Sequence, residues 1–280
     1  MSGLQIPTAC VIGWPAAHSR SPVIHRFWLK ELGIAGDYVA MSVAPDRIDA
    51  FLRDLPESGY RGGNVTVPHK EAAFAAVGEM DAAARAIGAV NTLWIEDGKL
   101  VGGNTDALGF LANLDGAVEN WDKKPGAAVV LGAGGAARAI LFALLERGFG
   151  PIHLVNRTIE RAAHLAERFG KAVRPAGWEN VDKLLGDAAL LVNTTTLGMK
   201  GTPSPEIDLG ALPDRAVVTD IVYVPLETPL LAAARARGLR TVDGLGMLLH
   251  QAAPGFAHWF GKRPQVTSAL RAAVLQTFEA

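Results

Sequence analysis

Ala128-Val129-Val130-Leu131-Gly132-Ala133-Gly134-Gly135-Ala136-Ala137-Arg138 is the stretch that decides how this chain folds. Its apolar run reads as a strand covered on both faces of a parallel sheet, and a helical pattern follows from Ala139 to Arg147. Between them Gly132, Gly134 and Ala137 occupy the three positions of G-x-G-x-x-G/A. Those positions permit a tight turn, close approach of a pyrophosphate and packing of helix on strand, and the helix start offers free N–H groups and a positive dipole end. Ile152-His153-Leu154-Val155 supplies the next parallel strand at the right distance. The stretch therefore predicts a dinucleotide-binding βαβ unit. An NAD site normally has Asp or Glu after that second strand, whereas this chain has Asn156-Arg157-Thr158, with Arg161 one helical turn further on. A guanidinium at Arg157 suits a 2′-phosphate, through charge-assisted hydrogen bonds worth about 1.5–3 kcal/mol each. NADP is therefore expected over NAD. The plainer reading makes Arg157 a surface arginine and Thr158 a helix cap.

The rest of the composition fits a two-domain α/β protein. The chain has 280 residues, enough for two domains of ordinary size. Its net charge of -1, with 20% charged residues, leaves no basic face to follow a nucleic-acid backbone. The single cysteine, Cys10, lies in the apolar run Ala9-Cys10-Val11-Ile12, which points to a small buried side chain and a reducing compartment. No signal-like segment opens the chain, and no apolar run approaches the roughly 20 residues that span a bilayer. A soluble, unprocessed, cytoplasmic protein is expected, with no membrane partner and either a monomer or a homodimer. The texture changes after Asp122-Lys123-Lys124-Pro125-Gly126, so a second domain begins between Asn104 and Gly126.

Upstream, strands and helices alternate without a fixed-period repeat. Strands are expected at Thr8–Ile12 and Tyr38–Val43, helices from Ser21-Pro22 to Leu32 and from Pro45-Asp46 to Leu55, a further helix near Asp81, and a hairpin around Asp97-Gly98. Gly63-Asn64-Val65-Thr66-Val67-Pro68-His69-Lys70 stands out among these elements. Val65 and Val67 alternate with polar residues in the period of a strand, Pro68 stops the ladder, and His69 to Val77 reads as helix. Lys70 is thereby delivered to the carboxyl end of a strand, where open α/β sheets place their ligands. The alternative is a solvated lysine on a surface helix.

Several stretches, in order along nearly the whole chain, resemble the shikimate dehydrogenase family. They are Gly13-Trp14-Pro15-Ala16-Ala17-His18-Ser19-Arg20-Ser21-Pro22, Asn64 to Lys70, Ile87-Gly88-Ala89-Val90-Asn91-Thr92, Gly103-Asn104-Thr105-Asp106 and the glycine turn. Asn156-Arg157-Thr158, Asn193-Thr194-Thr195, Asp220-Ile221-Val222-Tyr223-Val224-Pro225 and Asp243 to Gln251 complete the set. Ala16 departs from the pattern, where a larger aliphatic residue is usual, which bears on loop packing. The resemblance implies NADPH-dependent reduction of 3-dehydroshikimate to shikimate in aromatic amino-acid biosynthesis. It also implies an α/β fold of two domains, an α/β substrate domain with a mainly parallel sheet and a Rossmann-type domain, with the active site in the cleft between them. The expected division is 1–105 with 245–280 for the substrate domain, closed by a last amphipathic helix from Ala269 to Phe278, and 106–244 for the Rossmann domain.

The same resemblance implies the roles of single residues. Lys70 matches the general acid and base, and Asp106 its partner. Ser19 and Ser21 match the serines that hold the substrate carboxylate, although Ser21 before Pro22 is also a plausible N-cap. Thr66, Asn91 and Asp106 match contacts to the ring hydroxyls, and Tyr223 and Gln251 match the far wall of the pocket. On residue pattern alone, Tyr223 reads as core strand and Gln251 as helix surface. Gly132, Ala133, Gly134, Gly135, Ala136, Asn156, Arg157, Thr158, Arg161, Thr194, Ile221 and Gly244 match the NADP contacts. His18, His25, His69 and His250 lack a metal-ligand spacing, so no metal is expected. Three alternatives stand beside this reading: a quinate or dual quinate/shikimate dehydrogenase, an NADP-dependent reductase of a folate or aminoacyl substrate, and a metabolite-sensing module of the same fold.

Overall fold

The computed structural model of the chain describes residues 6–278; the first five and last two residues, which the sequence assigns to the substrate domain, lie outside the described residues. The chain divides into two compact units, one running to Asp106 and resuming at Leu249, the other comprising Ala107–Leu248.

The first unit contains β1 (Thr8–Gly13), α1 (Ser21–Glu31), β2 (Asp37–Ser42), α2 (Ile48–Asp54), β3 (Tyr60–Val65), α3 (Lys70–Ala76), β4 (Glu79–Met80), α4 (Ala82–Ile87), β5 (Thr92–Glu96) and β6 (Lys99–Gly103). α5 (Asp106–Ala117) leaves this unit for the second. There follow β7 (Ala127–Leu131), α6 (Gly135–Glu146), β8 (Ile152–Val155), α7 (Ile159–Phe169), β9 (Val173–Ala176), α8 (Val181–Leu184), β10 (Ala188–Asn193), β11 (Val217–Asp220), α9 (Pro229–Ala236) and β12 (Arg240–Val242). α10 (Leu245–Phe260) returns the chain to the first unit, which α11 (Ser268–Leu275) closes by packing on α1.

The sheet of the first unit has the order β2-β1-β3-β5-β6-β4. β1 is parallel to β2 and β3, and β4 to β6, whereas β5 runs antiparallel to both β3 and β6. Asp97 and Gly98 form the hairpin tip at φ 50° and 76°, as a two-residue turn requires. Alternation along β1 divides the core: Cys10 and Ile12 join the cluster under α2 and α3, while Ala9 and Val11 join Tyr38 and Trp259 on the other face. Each large aliphatic side chain removed from water here contributes about 1.5–3 kcal/mol. Burial pushes the Cys10 thiol up to about 12, so it is an unreactive core residue. Gly62 has to be glycine, because at φ 132° a Cβ would lie 2.1 Å from the carbonyl oxygen of Leu93.

The sheet of the second unit is parallel throughout, with order β9-β8-β7-β10-β11-β12. Counted in order of appearance this is 3-2-1-4-5-6, the doubly wound arrangement. Its switch point lies between β7 and β10, beside the glycine turn. α6 starts at Gly135, ahead of the Ala139 expected from the apolar pattern, because the last residues of the turn already form its first helical turn.

Two local expectations are corrected. Ser21 is the first helical residue of α1, not its N-cap; Arg20 holds that position, and the Ser19 hydroxyl accepts the Ser21 N–H at 3.2 Å. Thr158 does occupy the N-cap position of α7, but its side chain accepts no capping hydrogen bond.

His25 is fully buried on α1, stacked on Tyr38 at 4.0 Å between centroids, with Phe256 nearly parallel to it at 5.9 Å. Asn64 lies near the imidazole, but its carbonyl accepts from the Tyr38 hydroxyl at 2.7 Å, and neither ring nitrogen closes a hydrogen bond. Burial pushes the His25 imidazolium down to about 3, with Asn64 opposing slightly. An unfolded imidazole titrates near 6.5, so the unfolded chain takes up a proton that the folded chain refuses as pH falls. The stabilisation is complete above about pH 6.5 and is lost at about 1.4 kcal/mol per unit below it. Urea unfolding at pH 7 and pH 5 should cost the native chain about 2 kcal/mol more than a His25→Phe variant; identical pH dependence in the two would refute this assignment.

Candidate active site

Four strand ends meet at one edge of the first sheet. β1 and β3 are parallel, so the loop after Gly13, which carries Ser19 and leads into α1 at Ser21, leaves beside the turn after Val65, which carries Thr66 and leads into α3 at Lys70. β5 runs the other way, pairing Thr92 with Asn64, so its entry residue Asn91 sits at the same edge. β6 reverses again, pairing Gly103 with Thr92, and its exit delivers Asn104, Thr105 and Asp106 there. A Cβ on Gly13 would lie 2.5 Å from the Thr66 methyl, so the two turns are in direct contact.

Lys70 begins α3 and Asp106 begins α5, and the lysine ammonium donates to Asp106 Oδ2 at 2.5 Å. Their side chains are only 14% and 7% exposed, so the solvated-lysine reading does not hold. Asn91 Nδ2 donates to Asp106 Oδ1 at 2.8 Å, so each carboxylate oxygen faces its own donor. The orientation of Asn91 is not arbitrary. Its Oδ1 accepts from the Thr105 backbone N–H at 2.8 Å, and a backbone N–H can only donate, so Nδ2 must face the carboxylate. The Asn104 side chain accepts the Asp106 N–H at 3.1 Å and donates to the Ala89 carbonyl at 2.8 Å, fixing the start of α5. His69, beside Lys70, is buried and bonds the Val43 carbonyl through Nε2 at 2.7 Å, which anchors the start of α3 to the end of the β2 segment.

The hydrogen-bonded group comprises Lys70, Asp106, Asn91 and, at the long distance of 3.4 Å from Asn91 Nδ2, Gln251 Oε1. Gln251 is 7% exposed on α10, which corrects the helix-surface reading. Ser19, buried Ser21 and Thr66 lie at the same edge of the sheet but outside that hydrogen-bonded group. Tyr223 is half-buried in the loop after β11, in the second unit, which corrects the core-strand reading. Sequence reasoning missed Asn64, Thr92 and Thr105, all buried and all bonded to Asn91; their only signal was polar residues in otherwise apolar strand ends. A depression of about 720 Å³ lies elsewhere on this unit, between α2, α3 and the β5–β6 hairpin, but none of these site residues lines it.

In the second unit, Gly132 takes φ 98° directly after β7, and a Cβ there would lie 2.9 Å from the Thr194 hydroxyl. Thr194, at the end of β10, donates its hydroxyl to the Leu131 carbonyl at 2.6 Å, so the two loops flanking the switch point are laced together. Asn156 bridges to them from β8, accepting from the Ala133 N–H at 3.2 Å and donating to the Thr158 carbonyl at 2.8 Å. Gly134 is the N-cap of α6, no side chain caps the helix, and a Cβ on Gly134 would meet nothing within 4 Å. An open glycine at an uncapped helix start is the cradle a diphosphate fills. Arg157, Thr158 and Arg161 are exposed beyond the strand end. Ile221 and Gly244 touch, since a Cβ on Gly244 would lie 2.3 Å from the Ile221 carbonyl oxygen. The residues present therefore fit a dinucleotide. Among the described residues, no group of three or more His, Cys, Asp or Glu could hold a metal ion, and no helix is long and apolar enough to cross a membrane.

Three known domains match this chain in order. Residues 11–93 match the shikimate dehydrogenase substrate binding domain, 117–199 the shikimate / quinate 5-dehydrogenase domain, and 244–275 the shikimate 5′-dehydrogenase C-terminal domain. Shikimate dehydrogenase (NADP(+)) of Azorhizobium caulinodans is 60% identical over 93% of this chain and 93% of its own. The chain belongs to the shikimate dehydrogenase family. Within this family, shikimate 5-dehydrogenase of Thermus thermophilus, solved in complex with NADP(H) and shikimate, superposes with a TM-score of 0.84 at 39% identity, covering 96% of this chain and 99% of that one. Quinate dehydrogenase of Corynebacterium glutamicum, solved in complex with NAD, reaches a TM-score of 0.88 at 31% identity, covering 96% and 99%. Shikimate and quinate dehydrogenases thus share this fold.

One group in the second unit carried no expected role. Asp220 is fully buried at the end of β11 and accepts from Asn193 Nδ2 at 3.0 Å, the Val222 N–H at 3.0 Å and the Thr228 hydroxyl at 2.8 Å. Burial pushes its carboxyl above the usual range, opposed by these three donors. Asn193 precedes Thr194, and Asp220 precedes Ile221, so this network fixes the loops on which both lie. Asp220→Ala would strand three buried donors and should lower stability by about 2–4 kcal/mol in urea unfolding; a loss within about 0.5 kcal/mol, the scale of an ordinary surface substitution, would contradict it.

Proposed function

We propose that this chain catalyses the reversible NADPH-dependent reduction of 3-dehydroshikimate to shikimate, with Lys70 as general acid and base and Asp106 as its partner. Identity at the 60% level with an enzyme named shikimate dehydrogenase (NADP(+)) supports the reaction and the cofactor. The observation that carries the residue roles is the sequestered Lys70–Asp106 pair, with each carboxylate oxygen claimed by its own donor.

When bound, NADPH supplies the hydride. The glycine turn from Gly132 to Ala136 and the start of α6 would hold its diphosphate; Asn156, Arg157, Thr158 and Arg161 would hold the adenosine end and its 2′-phosphate. Thr194, Ile221 and Gly244 complete the proposed contacts. In the reducing direction, negative charge grows on the ketone oxygen of the substrate. The Lys70 ammonium stabilises that charge and donates one proton to the oxygen, leaving a neutral amine and a new hydroxyl. In the oxidising direction neutral Lys70 takes the hydroxyl proton. Asp106 directs the lysine, since its Oδ2 fixes Nζ and Asn91 fixes the carboxylate. Ser19 and Ser21 are suited to hold the substrate carboxylate because a hydroxyl can donate to it. Thr66, Asn91 and Gln251 offer polar groups to the ring hydroxyls, and Tyr223 is assigned the far wall.

The likeness to a quinate dehydrogenase favours a second reading, a dual quinate/shikimate dehydrogenase. Measuring kcat/KM for shikimate and for quinate, each with NADP+ and NAD+, decides between them; shikimate with NADP+ is expected to be the best pair, and comparable rates with quinate would establish the dual reading. Lys70→Ala should lower kcat by about 10²–10⁴ while shikimate still binds, the range general acid–base catalysis contributes. Near-normal turnover would remove Lys70 from the mechanism. Arg157→Ala should raise KM for NADP+ about tenfold and leave that for NAD+ unchanged, the effect of one charge-assisted hydrogen bond; an unaltered NADP+/NAD+ preference would show that another group reads the phosphate.

A further inference from the structure

We infer that Thr105 is a positioning residue for this site: its hydroxyl ties the turn of α10 that carries Gln251 to the Asn91–Asp106–Lys70 group. The inference rests on the reading of the site proposed above.

Thr105 is buried, between the end of β6 and the start of α5. Its Oγ1 accepts from Asn91 Nδ2 at 3.0 Å and donates to the backbone carbonyl of Gln251 at 2.8 Å. A hydroxyl has one proton to give, and its two other possible acceptors lie farther off: Thr92 Oγ1 at 3.3 Å, and Asn91 Oδ1, which is already served. Asn91 Oδ1 receives the Thr105 N–H at 2.8 Å and the Thr92 hydroxyl at 2.9 Å, and lies 3.2 Å from Thr105 Oγ1. The proton of Thr105 therefore goes to Gln251. The two protons of Asn91 Nδ2 go in the same way to the nearer acceptors, Asp106 at 2.8 Å and Thr105 at 3.0 Å, with Gln251 Oε1 beyond them at 3.4 Å. Asn91 thus reaches Gln251 mainly through Thr105, and by its backbone.

That backbone is where α10 needs support. Pro254 lies inside the helix and offers no N–H to the carbonyl of His250, one residue before Gln251. The turn is one ladder bond short, and the Thr105 hydroxyl supplies a bond from outside the helix. A shift of this turn would move the Gln251 side chain away from the substrate ring without altering Lys70, Asp106 or any residue proposed to hold the cofactor.

Thr105→Val keeps the shape and removes the hydroxyl, whereas Thr105→Ser keeps the hydroxyl. For the valine variant kcat/KM for shikimate should fall about tenfold, mainly through KM, as loss of the buried bond to the Gln251 carbonyl implies, while Asn91 Nδ2, which also loses Thr105 as an acceptor, keeps its bond to Asp106. The Kd for NADP+ should stay within about twofold of wild type, and the serine variant should return kcat/KM to within about threefold. In a Gln251→Ala background the valine substitution should lower kcat/KM by less than about twofold, because the group it positions is gone. Should the valine variant fail to fold, Thr105→Cys, a weak donor, replaces it with the same expected direction. Wild-type KM and kcat in a folded valine or cysteine variant, whatever its melting temperature, would overturn the inference, as would an equal effect with and without Gln251 or a parallel loss of NADP+ binding. Absence of shikimate turnover by the wild-type chain would overturn the functional reading itself, which distinguishes the two failures.

Discussion

A carboxylate whose side chain is 7% exposed is the constraint around which the first unit is organised. Taking an ion out of water costs several kcal/mol unless a partner and hydrogen bonds replace the lost hydration. Asp106 receives Lys70 on one oxygen and Asn91 on the other. Each donor comes from a different strand end, so the carboxylate can be accommodated only if the end of β3, the start of β5 and the end of β6 lie at the same edge. The antiparallel hairpin within an otherwise parallel sheet meets that condition: it brings the start of β5 and the end of β6 beside the end of β3.

The polar shell behind this group continues inward. Asn64 donates toward Thr92, Thr92 toward Asn91, and Tyr38 closes the far end by donating to Asn64. Every member has a direction, because the Thr105 backbone N–H can only donate and so sets the sense of Asn91. A network with one allowed arrangement holds its outermost members more tightly than isolated pairs would. The second unit uses the same device at Asp220, which gathers three donors from the segments around β10 and β11. In both units a buried acid fixes the loops that carry the proposed ligand contacts.

Much of this was legible in residue order. The glycine turn is local chemistry: a strand, a residue at positive φ and a helix start follow from Leu131 to Gly135 with no help from distant parts of the chain. Lys70 was legible as a lysine beyond a strand's carboxyl end, because Pro68 and the alanine-rich run after it announce where α3 starts, although β3 stops at Val65, and Val67, read as part of the strand, is exposed in the turn. The N-cap of α1 was misplaced by one residue: Ser21 before Pro22 has the local pattern of a cap, but the turn puts Arg20 in that position and Ser21 inside the helix. Gln251 and Tyr223 were illegible without a resemblance: burial of the first comes from contacts with residues 146 and 160 positions away, which no local pattern encodes.

The sequence by itself determined the two α/β units, the dinucleotide turn, the arginine that replaces an acid after β8, and the lysine poised at a strand end. These depend on backbone propensities and on neighbours a few residues apart. Only the tertiary structure decided that Lys70 is paired and sequestered, which way Asn91 points, and that Thr105 joins Asn91 to α10. Those facts depend on strand register and on the single proton of a hydroxyl, and they exist only once segments far apart in the chain have been brought within hydrogen-bond distance.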